Sequence, residues 1–255
     1  MVIIISPAKI LNLKPQTIIS DFTIPDFIAK SEQLVNYMQQ LDINDLIDLY
    51  SSTVLIAKTN YSRFRNWHQP FTPDNAKQAV LMYNGEVFNG LGAKTMTADD
   101  FSYLQKHLRI LSGLYGILRP LDLIQPYRLD IGSELEPFDT DSLYDYWGDS
   151  ITLKLNELLE HDKAPKVLIN LASGEYLKSI KKKLLNAKII DIEFYQSQGG
   201  KLKTIVVYTK KARGLMARYC IQNRIEDPEK LKAFDMEGYW FNAELSSDRK
   251  YVFIR

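Results

Sequence analysis

The sequence predicts a mixed α/β (α+β) fold in one compact domain spanning residues 1–255, a mixed sheet with helices packed on it. Three observations predict it. Strand-like apolar runs and helical periods interleave along the chain. A strong hairpin signal makes part of the sheet antiparallel. No repeat, low-complexity tract or linker divides the 255 residues, a length that one core can fill.

The elements follow in order. Val2–Ile5 is an unbroken β-branched run and reads as a short buried strand. Residues 14–25 carry two prolines among polar residues and read as an ordered surface loop. Residues 27–41, 44–49, 59–67 and 99–107 read as helices, 79–83 as a strand, and 85–92 as a glycine-punctuated connection. The clearest helix is 143–161: Leu143, Trp147, Ile151, Leu155, Leu158 and Leu159 follow the helical period, and Ser142 with Asp145 supplies capping chemistry. Residues 166–171 form a buried strand, followed from Ser173 by a helix to about residue 184. Strands at 189–196 and 202–208 flank Ser197-Gln198-Gly199-Gly200, the hairpin signal. A helix over 210–225 and terminal strands at 239–242 and 251–254 complete the pattern.

Hydrophobic residues make up 45% and charged residues 25%, a globular balance that excludes disorder. The apolar runs are too short to span a bilayer, and no basic leader precedes them, so a cytoplasmic protein without a membrane partner is expected. The one cysteine, Cys220, excludes a disulfide framework and suits a reducing compartment. It falls on the apolar side of its helix and reads as an inert core thiol.

The net charge of +1 conceals an asymmetry. Between Lys178 and Arg224 lie twelve Lys or Arg against only Asp191 and Glu193, which favours a polyanion or phosphate partner over a merely solvated basic face. On the 210–225 helix, Lys210, Lys211, Arg213, Arg218 and Arg224 share one arc. Ala212, Leu215, Met216, Tyr219 and Cys220 share the opposite one. Gly214 and Ala217 lie within the basic arc, where small side chains would let a ligand approach the backbone. The plainer alternative is an amphipathic helix with a basic outer face.

Two further stretches suggest a site. Residues 3–9 run from a strand into a turn carrying Ser6 and Lys9; residues 168–176 run from a strand through Asn170 and Ser173 into Glu175. Parallel neighbours would bring these two ends together where open α/β sheets place ligands. Ser173 as a simple N-cap and Lys9 as a surface lysine are the structural alternatives. In residues 107–120, Gly113 and Gly116 lie three apart between apolar stretches, which suggests a tight helix-to-helix turn loosely like a helix–hairpin–helix. Arg119 and Arg128 would add phosphate contacts beside it; a structural left-handed turn is the alternative. His68, His107, His161 and Cys220 share no metal-ligand spacing, and Walker, Rossmann and nucleophile-elbow patterns are absent, so no metal or cofactor is expected. Glu157 and His161, one helical turn apart, read as an exposed pair rather than an iron site.

Ile4-Ile5-Ser6-Pro7-Ala8-Lys9, residues 111–128 with Ser112-Gly113-Leu114-Tyr115-Gly116-Ile117-Leu118-Arg119-Pro120-Leu121-Asp122-Leu123, residues 143–152, 170–179 and 210–218 stand in the order and spacing of the YaaA family. Residues 71–76 and 83–91 extend the match. The chain therefore resembles the YaaA family of peroxide-stress proteins over nearly its whole length. Asp130-Ile131, Gly174, Tyr146 and Tyr219 depart mildly from the family pattern. The resemblance implies protection from hydrogen peroxide linked to limiting free iron and oxidative DNA damage, a basic cleft, a helix–hairpin–helix-like element and binding of double-stranded DNA without sequence preference. The expected contributors are Lys9, Arg119, Arg128, Lys210, Lys211, Arg213 and Arg218, in a monomer. The rival reading is an enzyme acting on a phosphorylated or nucleotide-like ligand in the same cleft. Its polar set is Ser6, Tyr115, Tyr127, Asn170, Ser173 and Glu175 with the cations, Glu175 serving as general base if buried.

Overall fold

A central sheet runs through the molecule from its first strand to its last two, five inner strands parallel and the edges antiparallel. The computed structural model describes residues 1–135, 138, 140–160 and 166–255. The strands are Val2–Ile5 (β1), Lys77–Gln78 (β2), Leu108–Ser112 (β3), Gly116–Leu118 (β4), Leu123–Ile124 (β5), Val167–Leu171 (β6), Lys188–Gln198 (β7), Lys201–Lys203 (β8), Trp240–Ser247 (β9) and Lys250–Ile254 (β10). The helices are Ile28–Met38 (α1), Ile43–Tyr50 (α2), Val54–Asn66 (α3), Ala79–Met82 (α4), Glu86–Leu91 (α5), Ala98–His107 (α6), Leu143–Trp147 (α7), Ser150–Glu160 (α8), Gly174–Leu177 (α9) and Val206–Gln222 (α10), with 3-10 turns between some of them.

The sheet order is β4-β3-β1-β6-β7-β10-β9, with β8 folded back on β7 and β2 paired with β5 in a separate ribbon. β1 lies between β3 and β6, parallel to both, with Ile4 opposite Arg109 on one side and Asn170 on the other. Its four residues are all buried, which is why the segment reads as a continuous apolar run rather than an alternation. α10 packs on β6 and β7 with one side and on α5 with another. Among the described residues, no helix is long and apolar enough to cross a membrane.

Several local expectations are corrected. Residues 108–118 are not a helix–hairpin–helix but a β-hairpin, Ile110 opposite Leu118 and Ser112 opposite Gly116. Every residue of β3 is buried, so this segment has no polar face to present as a helix would. Its glycines serve close packing: a Cβ on Gly113 would meet the Leu129 carbonyl oxygen at 2.3 Å, and one on Gly116, at φ +68°, would meet the Trp147 ring at 2.7 Å.

Residues 79–82 form one helical turn instead of a strand. Ala, Leu and Met are good helix formers, and a four-residue apolar run carries no decisive period. The 85–92 connection contains α5, closed by Gly92 in the left-handed region. The long 143–161 helix breaks at Gly148, at φ +50°, into α7 and α8; His161 lies outside the described residues. The helix after Ser173 stops after one turn because α8 captures the following backbone. Lys181 N–H donates to Thr152 Oγ1 at 2.9 Å, Asn186 N–H donates to Asn156 Oδ1 at 2.8 Å, and Asn156 Nδ2 donates to the Leu184 carbonyl at 2.9 Å. The hairpin at Gly199-Gly200 forms, but its second arm is only β8, and residues from Val206 onward already belong to α10.

Candidate functional site: a two-chambered cleft

The parallel pairing of β1 with β6 brings the ends of both strands together, as the two sequence stretches suggest. Ser6 follows β1 and Ser173 follows β6. The Ser173 N–H donates to Ser6 Oγ at 2.9 Å, and Ser6 Oγ donates to Ser173 Oγ at 3.3 Å. Ser173 also caps α9, accepting from the Tyr176 N–H. The serine pair thus ties two strand ends into one floor.

Above that floor lie two chambers. One, of about 520 Å³, is bounded by the Ser6–Ile10 turn, by Asn84 to Asn89 at the start of α5, by α9, and by Val206, Val207, Lys210 and Arg213 of α10. The other, of about 610 Å³, is bounded by the end of α2 through Ser51, by Arg128 and Asp130, and by residues 132–135. Lys9, Asp130 and Glu175 line both chambers. Lys9 Nζ meets Asp130 Oδ2 at 2.8 Å, so an ion pair marks the boundary between them.

Charge is balanced in the first chamber, where Lys9, Lys210 and Arg213 face Glu86, Asp130 and Glu175. In the second, Lys9 and Arg128 face Asp45, Asp48, Asp130, Glu134 and Glu175. The lining is therefore mixed rather than uniformly basic. The mouth of the first chamber is apolar, with Ile10, Val206 and Val207 each more than half exposed.

Two arginines are incomplete. The Nε atoms of Arg128 and Arg213 are buried without a hydrogen-bond partner. Desolvation lowers the pKa of Arg213, opposed by Glu193. Arg128 lies over the Tyr50 ring, 5.0 Å from its centroid, while the Tyr50 hydroxyl donates to the Arg128 carbonyl at 2.6 Å. Buried donors in native proteins are nearly always paired, with protein or ordered water, and these two are exceptions.

The other expected residues divide. Lys9, Lys210, Arg213, Ser6, Ser173 and Glu175 meet in the first chamber, and Arg128 lies in the second. Arg119 does not converge with them: it pairs with Asp26 at 3.1 Å and Asp122 at 3.0 Å and donates to the Ile24 carbonyl, fixing the 14–25 loop region to the body. Lys211 pairs with Glu237. Arg218 donates to the Leu91 and Gly92 carbonyls and to Thr95 Oγ1, completing the end of α5.

Tyr115 is fully buried, its hydroxyl held by Trp67 Nε1 and the Gln125 N–H. The Tyr127 hydroxyl lies 2.6 Å from both the Tyr83 hydroxyl and Ser112 Oγ, and burial pushes it up to about 12. Asn170 spans β6 and β7 by donating to Asp191 at 2.7 Å. These three groups hold the floor rather than face the cleft. Glu175 is exposed, so the burial that a general-base role required is absent.

Gly214 also changes role. A Cβ there would meet the Val87 carbonyl oxygen at 1.9 Å, and one on Gly90 would meet the Lys211 carbonyl oxygen at 2.2 Å. The small residue admits α5, not a ligand. Cys220 is buried, and desolvation pushes its thiol up to about 12. Sequence reasoning missed Asp130, Tyr50, Val206 and Val207 as site residues. The valines carried a legible signal, an apolar pair placed directly before the basic run 210–213.

Among the described residues, no group of three or more His, Cys, Asp or Glu is arranged to hold a metal ion. A family model described as peroxide stress protein YaaA matches residues 1–245. The UPF0246 protein RSc2009 of Ralstonia nicotianae is 49% identical over 255 residues, which cover 100% of this chain and 99% of that protein.

Proposed function

The chain belongs to the peroxide stress protein YaaA family, and from that premise we propose that it serves the peroxide-stress response by binding a phosphorylated, nucleotide-like ligand in the cleft. The observation that carries this reading is Arg213. It lines the first chamber beside Lys210, one helical turn away on α10. An anion in the chamber would meet both cations, and Arg with Lys is a strong phosphate-binding combination. The chamber's volume lies in the range of small-ligand sites, and the exposed valines give an apolar surface to the rest of the ligand.

Duplex DNA, with an indirect link to iron-dependent damage, is the second reading. It is favoured by a different observation, the exposed lysines Lys178, Lys182, Lys183, Lys201, Lys203 and Lys210. A phosphate backbone is held by many cations of one sign, whereas the cleft alternates cations with carboxylates. The two readings separate by titration of purified protein with nucleoside monophosphates and with an unrelated-sequence pair of duplexes. Nucleotide binding that Arg213→Gln weakens at least about tenfold supports the first. Duplex binding that is steeply salt-dependent, equal for both sequences and indifferent to Arg213→Gln would replace it with the second.

A further inference from the structure

Resting on the reading of a phosphate at Arg213, we infer that the ligand is a guanine nucleotide, its base occupying the second chamber beside Arg128. The two chambers share Lys9, Asp130 and Glu175, so a ligand that spans them would pass over these three side chains. What differs between them is the chemistry on offer. The first has cations beyond the shared Lys9 on one turn of α10, and the second has the Arg128 guanidinium lying over Tyr50.

A guanidinium supported on an aromatic ring is a flat surface on which a nucleobase stacks. A base stacked there meets the face of the guanidinium, with Tyr50 on the opposite side. The remaining polar lining is mostly carboxylate, with Ser51 and Ser133 beside it. The carboxylates of Asp48, Glu134 and Glu175 have no hydrogen bond or ion pair among the described residues, and carboxylates only accept. A second phosphate would be repelled by them. A neutral base edge that offers N–H donors would be welcomed, and guanine alone presents two adjacent donors, N1–H and N2–H, to match the two oxygens of a carboxylate. Adenine offers an acceptor at N1 where guanine offers a donor, so a carboxylate there excludes it. The ion pair of Lys9 with Asp130 then lies beneath the middle of the nucleotide, where Lys9 can serve the sugar-phosphate link.

The experiment is equilibrium binding of GMP, AMP, IMP and guanosine to the full chain at fixed salt. It is repeated with Arg128→Gln, with Arg213→Gln, with Glu175→Gln and with the double variant Asp48→Asn/Glu134→Gln, each checked for folding by its thermal transition. Asp48 and Glu134 are exposed, so the double variant retains the fold even if Arg128→Gln does not. The expected result is GMP tighter than AMP by at least about tenfold, with IMP, which lacks the 2-amino group, between them. Arg213→Gln should weaken GMP and AMP alike, whereas the double variant should weaken GMP most, IMP less and AMP not at all. Equal affinity for GMP and AMP, or a preference that both the double variant and Glu175→Gln leave unmoved, overturns the guanine assignment while the phosphate reading stands. Guanosine binding as tightly as GMP, with no effect of Arg213→Gln, overturns the phosphate reading and this inference with it.

Discussion

Cys220 shows how a single residue can be read correctly from its place on a helix. The apolar arc of the 210–225 stretch put it inside, and it is buried with its thiol pushed up to about 12. At neutral pH almost no thiolate exists, and the thiolate is the form that reacts with peroxide. Native protein should therefore resist alkylation by iodoacetamide at pH 7, with labelling appearing only on unfolding. Cys220→Ala should keep peroxide protection while losing about 1–2 kcal/mol of stability in urea titration. Rapid sulfenic-acid formation in the native state would contradict this. Arg218 is the opposite case. Nothing in its spacing separates it from Lys210 or Arg213, because the arc it shares with them does not reveal that α5 ends beneath it. Arg218→Gln is expected to act on stability, by about 1–2 kcal/mol, and to leave the salt dependence of any anion binding unchanged.

At the scale of the element, the packing of α5 against α10 makes the sharpest demand. Gly90 and Gly214 face each other's backbones, and any Cβ at Gly214 meets a carbonyl oxygen that cannot move without its helix. Gly214→Ala should cost about 3 kcal/mol or more, against the gain of about 1 kcal/mol that helix propensity alone would give. Equilibrium denaturation decides the sign. A smaller effect belongs to the cap of α6, where Thr97 and Asp100 bond each other's backbone N–H groups and Arg224 reaches Asp100 at 2.8 Å. The hydrogen bond from Thr97 holds the Asp100 carboxyl below its ordinary range, aided by Arg224. A depressed carboxyl pKa stabilises the fold above the unfolded value and loses that contribution as the pH falls through the folded one. Asp100→Ala should therefore cost about 1 kcal/mol near neutrality and progressively less in acid below about pH 4.

Elements with their own signals were legible in the sequence. β1, β6, α1, α6 and the glycine-glycine hairpin each carry a burial pattern, a cap or a turn residue in a few adjacent positions. The elements misread were those decided by neighbours far along the chain. β3 is a strand because β1 offers it an edge, and the turn after α9 is held by Thr152 and Asn156 of α8. The site was legible to the same degree. Ser6, Lys9, Ser173 and Glu175 sit at strand ends that the pattern located, whereas Tyr50 and Asp130 enter the cleft through packing that leaves no local trace.

For the whole molecule, the mixed charge of the cleft bears on which anion it can hold. The net charge of +1 and the long basic stretch suggest a surface for polyanions, yet several of its cations are already engaged with carboxylates or carbonyls. A peroxide-sensitive strain lacking the protein should be rescued by the wild-type chain and by Lys211→Gln. Rescue should fail with Arg213→Gln despite normal abundance and thermal stability. Failure of Lys211→Gln as well, in a folded protein, would return weight to a broad electrostatic surface.

The position of β1 has a kinetic side. Its first partner is more than a hundred residues downstream and its second more than a hundred and sixty, since Ile4 lies opposite Arg109 and Asn170. At translation rates of about 5–20 residues per second, these apolar residues wait on the order of ten seconds or more before both flanking strands have been made. A sheet that closes around its earliest segment has a high contact order, so refolding from urea should be slow for its stability, on the order of milliseconds to seconds or longer. The newborn chain would be vulnerable over that interval, when an unpaired four-residue apolar strand is open to chaperones or to aggregation.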